Sequence, residues 1–436
     1  MTTIASVDYA VGQRGAQEAV RKVWRRLIPF LFVLYIINYL DRINIGFAAL
    51  SMNKDLMLTA TVFGLANSIF YVGYVACEIP SNLLMVRYGA RVWIARILIS
   101  WGLASAATML VMGPNSLYFA RFLVGVLEAG FVPGVLLYLT YWIPNSHRAR
   151  ANGRLMMAQP VAMAIGGGIS GFILEHMNGV MGLQGWRWMF LLEGVPAVFL
   201  GVVAYFYLTD KPKDATWLDE TEKRTLANLV SSGDTTQKKA PKASVWKQVM
   251  EPRIVLLALA YFCLVNTINA NATWIPTIVR EVLATYSLSY VGLVTAIPAL
   301  CALVLMPLWT RSSDRTLERT WHVIVALAMA AVGWLIVIFV PEPVLRLAGL
   351  VFTVSGAFCA MCVFWALPQG ILSEEARPAG IGLISAVGLL GSAISPAVVG
   401  VLKDMTGSFA AGLFYVTALL IVSMILILAV SSRAKA

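Results

Sequence analysis

Charged side chains are scarce in this sequence of 436 residues. Asp, Glu, Lys and Arg together make up 13% of the chain, whereas hydrophobic residues make up 59%. A soluble globular domain carries about 25% charged residues, so this composition excludes an ordinary soluble protein. We therefore expect a membrane protein, with the lipid bilayer as its permanent partner.

Residues that carry enzyme chemistry are also scarce. The chain has three histidines and five cysteines, and it contains neither an H-E-x-x-H zinc motif nor a serine elbow with triad partners. Cys359 and Cys362 have C-x-x-C spacing, but their apolar neighbours favour side-chain packing over redox chemistry or metal binding. We therefore expect no enzymatic activity, no catalytic residues, no metal site and no cofactor.

Long apolar runs are abundant instead. A run of about 20 apolar residues can cross a hydrocarbon core of about 30 Å as a helix. These runs lack the period-two alternation of β-barrel strands, so they predict an all-α membrane protein with twelve transmembrane helices. The twelve runs lie near residues 27–49, 62–85, 92–112, 116–142, 151–174, 187–208, 254–279, 288–309, 321–340, 346–371, 380–402 and 409–431.

Basic residues are distributed unevenly over the loops between these runs. Most of the 33 Lys and Arg residues lie on the side that holds both chain termini. The opposite loops carry only Lys54, Arg187, Arg280, Arg346 and Lys403. Because basic loops stay in the cytoplasm, both termini are predicted to be cytoplasmic, in the cell inner (plasma) membrane. The same bias accounts for the net charge of +11, so no nucleic-acid partner is expected.

A charged segment divides the apolar runs into two sets of six. Within it, Trp217–Leu229 fits either an amphipathic helix on the membrane surface or part of a solvated tether. Two six-helix sets around a basic linker are typical of transporters built from repeats, which bind substrate near the bilayer midplane. The predicted domains are a cytoplasmic segment (1–26), a six-helix bundle (27–208), a cytoplasmic linker (209–251), a second six-helix bundle (252–431) and a cytoplasmic tail (432–436).

Four ionisable side chains interrupt the apolar runs of the first half: Asp41, Arg42, Arg121 and Glu128. A charge near the bilayer centre costs about 2.5–3.5 kcal/mol, so such residues usually face a protein or water-filled interior and serve transport. Arg121 and Glu128 are about two helical turns apart, so they share one face of their helix. Asp41 and Arg42 point about 100° apart, so one is expected to line the substrate path while the other pairs laterally.

The chemistry of these side chains divides their roles. A guanidinium group stays charged and binds a carboxylate through two parallel hydrogen bonds, which makes Arg42 and Arg121 the candidate substrate-binding cations. A buried carboxyl can lose and gain a proton near neutral pH, which makes Asp41 and Glu128 the candidate proton carriers. A static salt bridge between Asp41 and Arg42 that only fixes helix packing is the alternative.

Three segments of the first half resemble a known family. Asn38–Gly46, Glu78–Asn82 and Arg121–Gly130 resemble the anion:cation symporter family of the major facilitator superfamily, which includes bacterial permeases for phthalate, tartrate and hexuronates. The resemblance implies the major facilitator fold, with two pseudo-symmetric six-helix bundles in a monomer. It also implies proton-coupled or sodium-coupled movement of organic anions, with substrate binding and proton coupling at the four intramembrane charges.

The loops after the second and eighth runs resemble the loop signature of the same superfamily, in which acidic and basic side chains hold the cytoplasmic helix ends together. The first copy is Arg87–Arg91, and Val86 stands where an aspartate is usual. The second copy, which begins at Ser313, keeps Asp314 and Arg315. These two residues are therefore candidate gating residues.

The remaining candidates are mostly neutral. No Asp, Glu, Lys or Arg falls in the predicted membrane core of the second half, so neutral groups must shape its selectivity. Glu78, just before Pro80, fits either a gating role or a structural hydrogen bond, and Glu193 is interpreted as structural. The further candidate substrate-binding residues are Tyr39, Gln159, Asn266, Asn269 and Trp365.

Together these features predict a proton-coupled symporter that imports an organic carboxylate anion by alternating access. The two arginines and the tryptophans favour an aromatic or small dicarboxylate, with sugar acids and tartrate-like hydroxy acids as alternatives. An exporter of the same fold is a further alternative, and the coupling ion is expected to be a proton. The absence of catalytic motifs disfavours a membrane-embedded enzyme.

Overall fold

The computed structural model describes residues 2–232, 242–373 and 376–432. In these ranges the chain forms helices and turns without a β-strand, and twelve helices are long and apolar enough to cross a membrane. The predicted all-α fold is therefore confirmed. Residues 233–241 of the predicted linker and 433–436 of the predicted tail lie outside the described residues.

The twelve helices are numbered here in chain order. Six precede the linker and six follow it, and the two sets form the two halves of the molecule. Their bounds are helix 1, Gln17–Asp55; helix 2, Ala60–Tyr88; helix 3, Ala90–Leu110; helix 4, Pro114–Trp142; helix 5, Arg150–His176; helix 6, Gly185–Tyr207; helix 7, Pro252–Val282; helix 8, Leu288–Thr316; helix 9, Thr320–Phe339; helix 10, Pro343–Ile371; helix 11, Ala379–Thr406; and helix 12, Ala410–Ser432.

Local capping groups set several of these helix boundaries. The Thr59 hydroxyl accepts a hydrogen bond from the Val62 amide at 3.2 Å and caps the start of helix 2. The Ser287 hydroxyl accepts one from the Tyr290 amide at 3.3 Å and caps helix 8 in the same way. A proline in the first turn begins helices 4, 7 and 10, where the missing amide hydrogen costs nothing.

Three helices are interrupted at positions where the sequence predicts continuous runs. Helix 4 stops at Glu128 and resumes at Phe131, because Gly130 has a left-handed backbone conformation with φ of +86°. A side chain at Gly130 would also collide with Ser81 of helix 2, so only glycine fits there. Helix 5 is interrupted at Met157 and helix 10 at Trp365, although both residues keep right-handed helical backbone angles. The break in helix 4 places Glu128 at the end of a helical segment inside the first half.

The turn between helices 2 and 3 uses an acidic group from a distant part of the chain. Gly89 reverses the chain with φ of +90°, and the Arg91 amide donates a hydrogen bond to Asp210 Oδ1 at 2.8 Å. A side chain at Gly89 would collide with the Asp210 carboxylate. Asp210, which lies just after helix 6, therefore supplies an acidic group to the loop in which Val86 replaces the usual aspartate.

The first part of the linker packs against the first half of the molecule. Its helix Glu220–Ser232 buries Leu226 completely, and the preceding Trp217 stacks on Trp142 of helix 4 with ring centroids 5.4 Å apart. This part of the linker is therefore not a solvated tether. A second linker helix, Lys242–Val249, leads into helix 7.

The two halves meet along three pairs of helices: 1 with 7, 2 with 11, and 5 with 8. Glycines permit the closest approaches. A Cβ at Gly64 of helix 2 would collide with the backbone oxygen of Pro396 in helix 11, and a Cβ at Gly167 of helix 5 would collide with the backbone oxygen of Gly292 in helix 8. These contacts lie toward the end of the molecule opposite the linker, which we call the distal end.

At the distal end, each half caps a helix of the other half. Asp404 of helix 11 accepts hydrogen bonds from the amides of Ala60 at 3.1 Å and Thr61 at 2.7 Å, at the start of helix 2. Glu175 of helix 5 accepts one from the Ser289 amide at 2.8 Å, at the start of helix 8. A helix N-terminus has unpaired amides and a partial positive charge, so these carboxylates stabilise the closed distal end. We call these two contacts the distal latches.

We expect Asp404→Ala to loosen the distal end, because it removes both acceptors of one latch. Loss of a helix cap costs about 0.5–2 kcal/mol, which corresponds to roughly a two- to thirty-fold larger open population. Hydrogen–deuterium exchange of the purified protein should then be faster at the start of helix 2. It should also be faster at the start of helix 8, because the distal interface opens as a unit.

Asp55→Ala is the matched control for this experiment. Asp55 accepts hydrogen bonds from Gln184 and Trp186, which belong to its own half. Its removal should leave exchange in helix 8 unchanged. If Asp404→Ala accelerates exchange only at residues 60–62, the two halves are not held together by this contact.

Candidate functional site

An ion pair joins helices 1 and 4 inside the first half. Arg42 Nε lies 2.6 Å from Glu128 Oε1, and Asn38 Nδ2 donates a hydrogen bond to the same oxygen at 2.8 Å. Glu128 is fully buried, whereas the Arg42 side chain is 17% exposed. Removing one partner of a buried ion pair leaves an uncompensated charge, so each residue needs the other. Arg42 Nη2 and Glu128 Oε2 have no partner in the described part of the chain.

Two aromatic rings of helix 2, Phe70 and Tyr74, support the arginines; we call them the aromatic platform. The Arg42 guanidinium carbon lies 4.8 Å from the centroid of Tyr74 and 5.7 Å from that of Phe70. The Arg121 guanidinium carbon lies 4.7 Å from the centroid of Phe70. Because the face of an aromatic ring attracts cations, the platform holds both guanidinium groups against one side of helix 2.

Arg121 connects the first half to the second. It is 3% exposed, and its Nη2 donates a hydrogen bond to Asn67 Oδ1 at 3.2 Å. Asn67 Nδ2 in turn donates to Thr273 Oγ1 of helix 7 at 2.8 Å. Arg121 Nε has no partner, and Arg121 forms no salt bridge with any described carboxylate. A buried cation without its own counter-ion is a site where an anion can bind.

Asp41 points away from Arg42, toward helix 3. It is 2% exposed, and its Oδ1 accepts hydrogen bonds from the Ser105 hydroxyl and from Asn44 Nδ2, the latter at 3.1 Å. The alternative of a static salt bridge between Asp41 and Arg42 is therefore wrong. The adjacent residues do point in different directions, and Arg42 has the lateral partner, Glu128.

Helix 7 contributes neutral polar groups to the interface between the halves. Asn269 Oδ1 accepts a hydrogen bond from the Tyr71 hydroxyl of helix 2, and its Nδ2 donates to Ser392 of helix 11 at 2.7 Å. Asn266, which the sequence places on the same face, instead donates to the Tyr415 hydroxyl of helix 12 at 2.9 Å. Asn269 therefore lies at the interface, whereas Asn266 joins two helices of the second half.

The other predicted substrate-binding residues do not hydrogen-bond to the arginines. Gln159 Nε2 donates to the Tyr35 hydroxyl at 2.9 Å, and Tyr39 is buried in the core. Trp365, at the break in helix 10, contacts Tyr261 edge-on with ring centroids 4.8 Å apart. Their roles in binding stay predictions.

The predicted gating residues are also placed by the structure. Asp314 Oδ1 lies 2.7 Å from Arg319 Nη1. Asp314 therefore pairs with Arg319, five residues later in the chain, and the adjacent Arg315 is exposed. Glu78 is partly buried in helix 2, and its backbone oxygen accepts a hydrogen bond from Asn82 at 2.9 Å. The gating roles of these residues stay predictions.

Sequence reasoning missed Asn67, Phe70 and Tyr74. Their spacing was a usable signal, because positions 67, 70, 71 and 74 fall on one face of a helix. The site combines two guanidinium groups with one paired carboxylate, and the guanidinium nitrogens that lack partners can bind an anion. Within the described ranges, no group of three or more His, Cys, Asp or Glu side chains is arranged to hold a metal ion.

Comparison with known proteins extends over almost the whole chain. The family model for the Major Facilitator Superfamily matches residues 31–396. A putative tartrate transporter of Agrobacterium vitis is 43% identical over 419 residues, which cover 96% of this chain and 95% of that protein. The putative metabolite transport protein NicT of Pseudomonas putida is 38% identical, over 96% of both chains. A quinolone resistance transporter of Acinetobacter baumannii is 36% identical, over 94% of both chains.

Solved structures agree with the fold. A bacterial homolog of the human lysosomal transporter Spinster, in an inward-facing and unoccupied conformation, superposes with a TM-score of 0.77 at 16% identity, over 95% of this chain and 97% of that one. The xylose transporter XylE of E. coli, in a partially occluded inward-open conformation, gives a TM-score of 0.69 at 12% identity, over 91% and 98%. The chain therefore belongs to the major facilitator superfamily, and it is a multi-pass membrane transport protein rather than an enzyme.

Proposed function

We propose that this transporter imports a small organic dicarboxylate of the tartrate type together with protons. The observation that carries the proposal is the pair of buried arginines, of which Arg42 holds a carboxylate and Arg121 holds none. The relatives that carry the name putative tartrate transporter support a small dicarboxylate as substrate. Trp365 contacts Tyr261 rather than the arginines, which weakens the case for an aromatic substrate.

The two arginines suit the two ends of a dicarboxylate. Both guanidinium groups lie against Phe70, so they face the same part of the molecule. Arg42 Nη2 and Arg121 Nε are donors without partners, and each can contribute to a forked hydrogen bond with a substrate carboxylate. The hydroxyl groups of a tartrate-like acid can in addition bond to neutral polar groups such as Asn67 and Asn269.

Coupling to protons follows from competition for Arg42. While Glu128 is ionised, it occupies the Arg42 guanidinium, and a second carboxylate beside it is repelled. A proton on Glu128 removes the negative charge and releases Arg42 to the substrate. Substrate and proton therefore bind together, and each favours the other because both oppose the same internal ion pair.

Substrate binding also acts on the contact between the halves. Arg121 donates to Asn67, and Asn67 donates to Thr273 across the interface. A substrate carboxylate that takes the Arg121 hydrogen bonds changes the orientation of Asn67 and weakens this link. Opening of the distal end then requires the loss of the remaining contacts between the halves, including the distal latches.

We expect Glu128→Gln to bind and exchange tartrate but to lose accumulation driven by a pH gradient. The amide keeps the size of the side chain and cannot carry the coupling proton. The measurement is uptake of radiolabelled tartrate into proteoliposomes, with counterflow measured in parallel. Glu342→Gln is the control, because Glu342 caps the start of helix 10 away from the site and should leave both activities unchanged. Gradient-driven accumulation in Glu128→Gln at the wild-type level would remove Glu128 from the coupling mechanism.

We expect Arg42→Ala to weaken tartrate binding by roughly a hundredfold, because two hydrogen bonds to a charged group contribute about 3 kcal/mol together. Arg42→Lys should weaken it less, since the charge remains while the forked geometry is lost. The measurement is the tartrate concentration that half-maximally raises the unfolding temperature of the purified protein.

The single alanine variant leaves the buried Glu128 with Asn38 but without its counter-ion, and breaking a buried ion pair in this way destabilises a protein by about 3–5 kcal/mol. The double variant Arg42→Ala with Glu128→Gln removes that charge and should recover stability without recovering tartrate binding. Wild-type affinity in the folded double variant would exclude Arg42 from the substrate site.

Export is the second candidate function, because one relative is a quinolone resistance transporter at 36% identity. The direction can be measured with right-side-out and inside-out membrane vesicles under an imposed proton gradient. Symport predicts tartrate accumulation on the side that protons enter. Accumulation of tartrate on the side that protons leave, or transport of a quinolone in place of tartrate, would favour the exporter.

A further inference from the structure

A second group of buried polar side chains lies on the other side of helix 1 from the pair Arg42–Glu128. We call it the carboxyl cluster. Its two acids are both buried, Asp41 with 2% and Glu193 with 7% of its surface exposed. The cluster comprises Asp41 and Asn44 of helix 1, Ser105 of helix 3, Ser170 of helix 5 and Glu193 of helix 6.

Each acid of the carboxyl cluster accepts a hydrogen bond from a serine. Ser105 donates to Asp41 Oδ1, and Ser170 donates to Glu193 Oε1 at 2.7 Å. Asn44 Nδ2 donates to Asp41 Oδ1 at 3.1 Å. Asn44 and Asp41 also lie near enough to Glu193 to act electrostatically on its carboxyl group, so the two acids belong to one cluster.

The carboxyl cluster has more acceptors than donors. Asp41 Oδ2, Asn44 Oδ1 and Glu193 Oε2 are buried and have no hydrogen-bond partner. Buried polar atoms are almost always paired, so three unpaired acceptors in one cluster favour an additional donor. A protonated carboxyl is such a donor. A proton on either acid therefore turns one of these acceptor oxygens into a donor for the cluster.

No basic side chain within the described residues forms a salt bridge with either acid of the cluster. Arg42 is paired with Glu128, and Arg187 of helix 6 donates to backbone oxygens. Arg121 of helix 4 attracts the Asp41 carboxylate through space, and Glu128 repels it. The other charged or titratable groups of helices 3, 5 and 6 lie toward the helix ends, at Arg91, Arg96, Arg150, Arg154, Glu175, His176, Tyr205 and Tyr207.

Two buried carboxylates without a counter-ion repel each other and carry a large desolvation cost, whereas one shared proton reduces both penalties. We propose that Asp41 and Glu193 form a proton-binding pair, bridged by Asn44, that is separate from the Arg42–Glu128 pair. This proposal extends the proposed function, because it adds Glu193 to the proton-binding residues. Asp41 and Arg42 are adjacent in helix 1, so the charge of this pair acts on the backbone that carries the substrate-binding arginine.

The test needs no substrate. Infrared difference spectra of the purified protein, recorded between about pH 5 and pH 9, report protonated carboxyl groups through their C=O stretch. We expect the wild type to show a titrating carboxyl band that is absent from Glu193→Gln. Glutamine at this position keeps the shape of the side chain and can donate to Asn44, so the variant should fold. Identical difference spectra for wild type and Glu193→Gln at every pH would overturn the proposal.

Two further variants separate proton binding from a structural role. Ser170→Ala removes a donor to Glu193 but keeps the carboxyl, so the band should change in frequency and remain. Glu193→Asp should restore a titrating band, because it returns a carboxyl to the cluster. A band that survives in Glu193→Gln and disappears in Ser170→Ala would contradict the assignment.

Transport provides a second readout with tartrate as the probe. Glu193→Gln should bind tartrate as the wild type does, while the proton concentration for half-maximal uptake changes about tenfold, or one pH unit. If Glu193→Gln loses the infrared band but its tartrate uptake depends on pH as in the wild type, the Asp41–Glu193 pair has no role in coupling. If the wild type does not transport tartrate, the proposed function fails, and the infrared result still decides whether the pair binds a proton.

Discussion

A positive charge inside a membrane protein must have a partner, and this constraint organises the first half of the molecule. Arg42 has Glu128 at 2.6 Å, and both arginines rest on the aromatic platform of helix 2. Among the described residues, the hydrogen-bond partner of Arg121 is the neutral Asn67. In the proposed mechanism, the number of negative charges near these two cations decides the state of the site, and a proton or a substrate anion changes that number. Binding and coupling would then be consequences of the same electrostatic requirement.

The two halves contribute different kinds of side chain, charged groups from the first half and neutral polar groups from the second. The three ionisable groups at the site, Arg42, Arg121 and Glu128, come from helices 1 and 4, whereas the second half contributes Asn269 and Thr273 across the interface. The hydrogen bonds from Arg121 through Asn67 to Thr273 mean that the anion site and the interface share atoms. The distal latches add a symmetric element, since the fifth helix of each half caps the second helix of the other half. Both halves therefore contribute to closure of the distal end, whereas the charged groups at the site come from the first half.

Helix 1 has two polar faces with different chemistry. Arg42 faces Glu128 and the aromatic platform, and Asp41 faces the carboxyl cluster with Glu193. Adjacent residues of a helix point about 100° apart, so one turn of one helix can serve two sites. One face carries a carboxylate neutralised by arginine, and the other carries two acids without a cation. The proton binding that we propose for each face therefore has a different physical cause, although a single helix connects the two faces.

The sequence alone determined the twelve membrane spans, the division into two sets of six and the restriction of charged residues in the membrane core to the first half. These features depend on local composition and on the length of apolar runs, which can be read without knowing how helices pack. The tertiary structure alone decided which charges pair. It placed Glu128 at a break created by Gly130, brought Asn67 and the aromatic platform to the arginines, and assigned Asp210, Asp404 and Glu175 as caps of distant helices. Each of these contacts joins residues far apart in the chain, and its existence depends on how the helices are rotated and packed, which apolar periodicity does not specify.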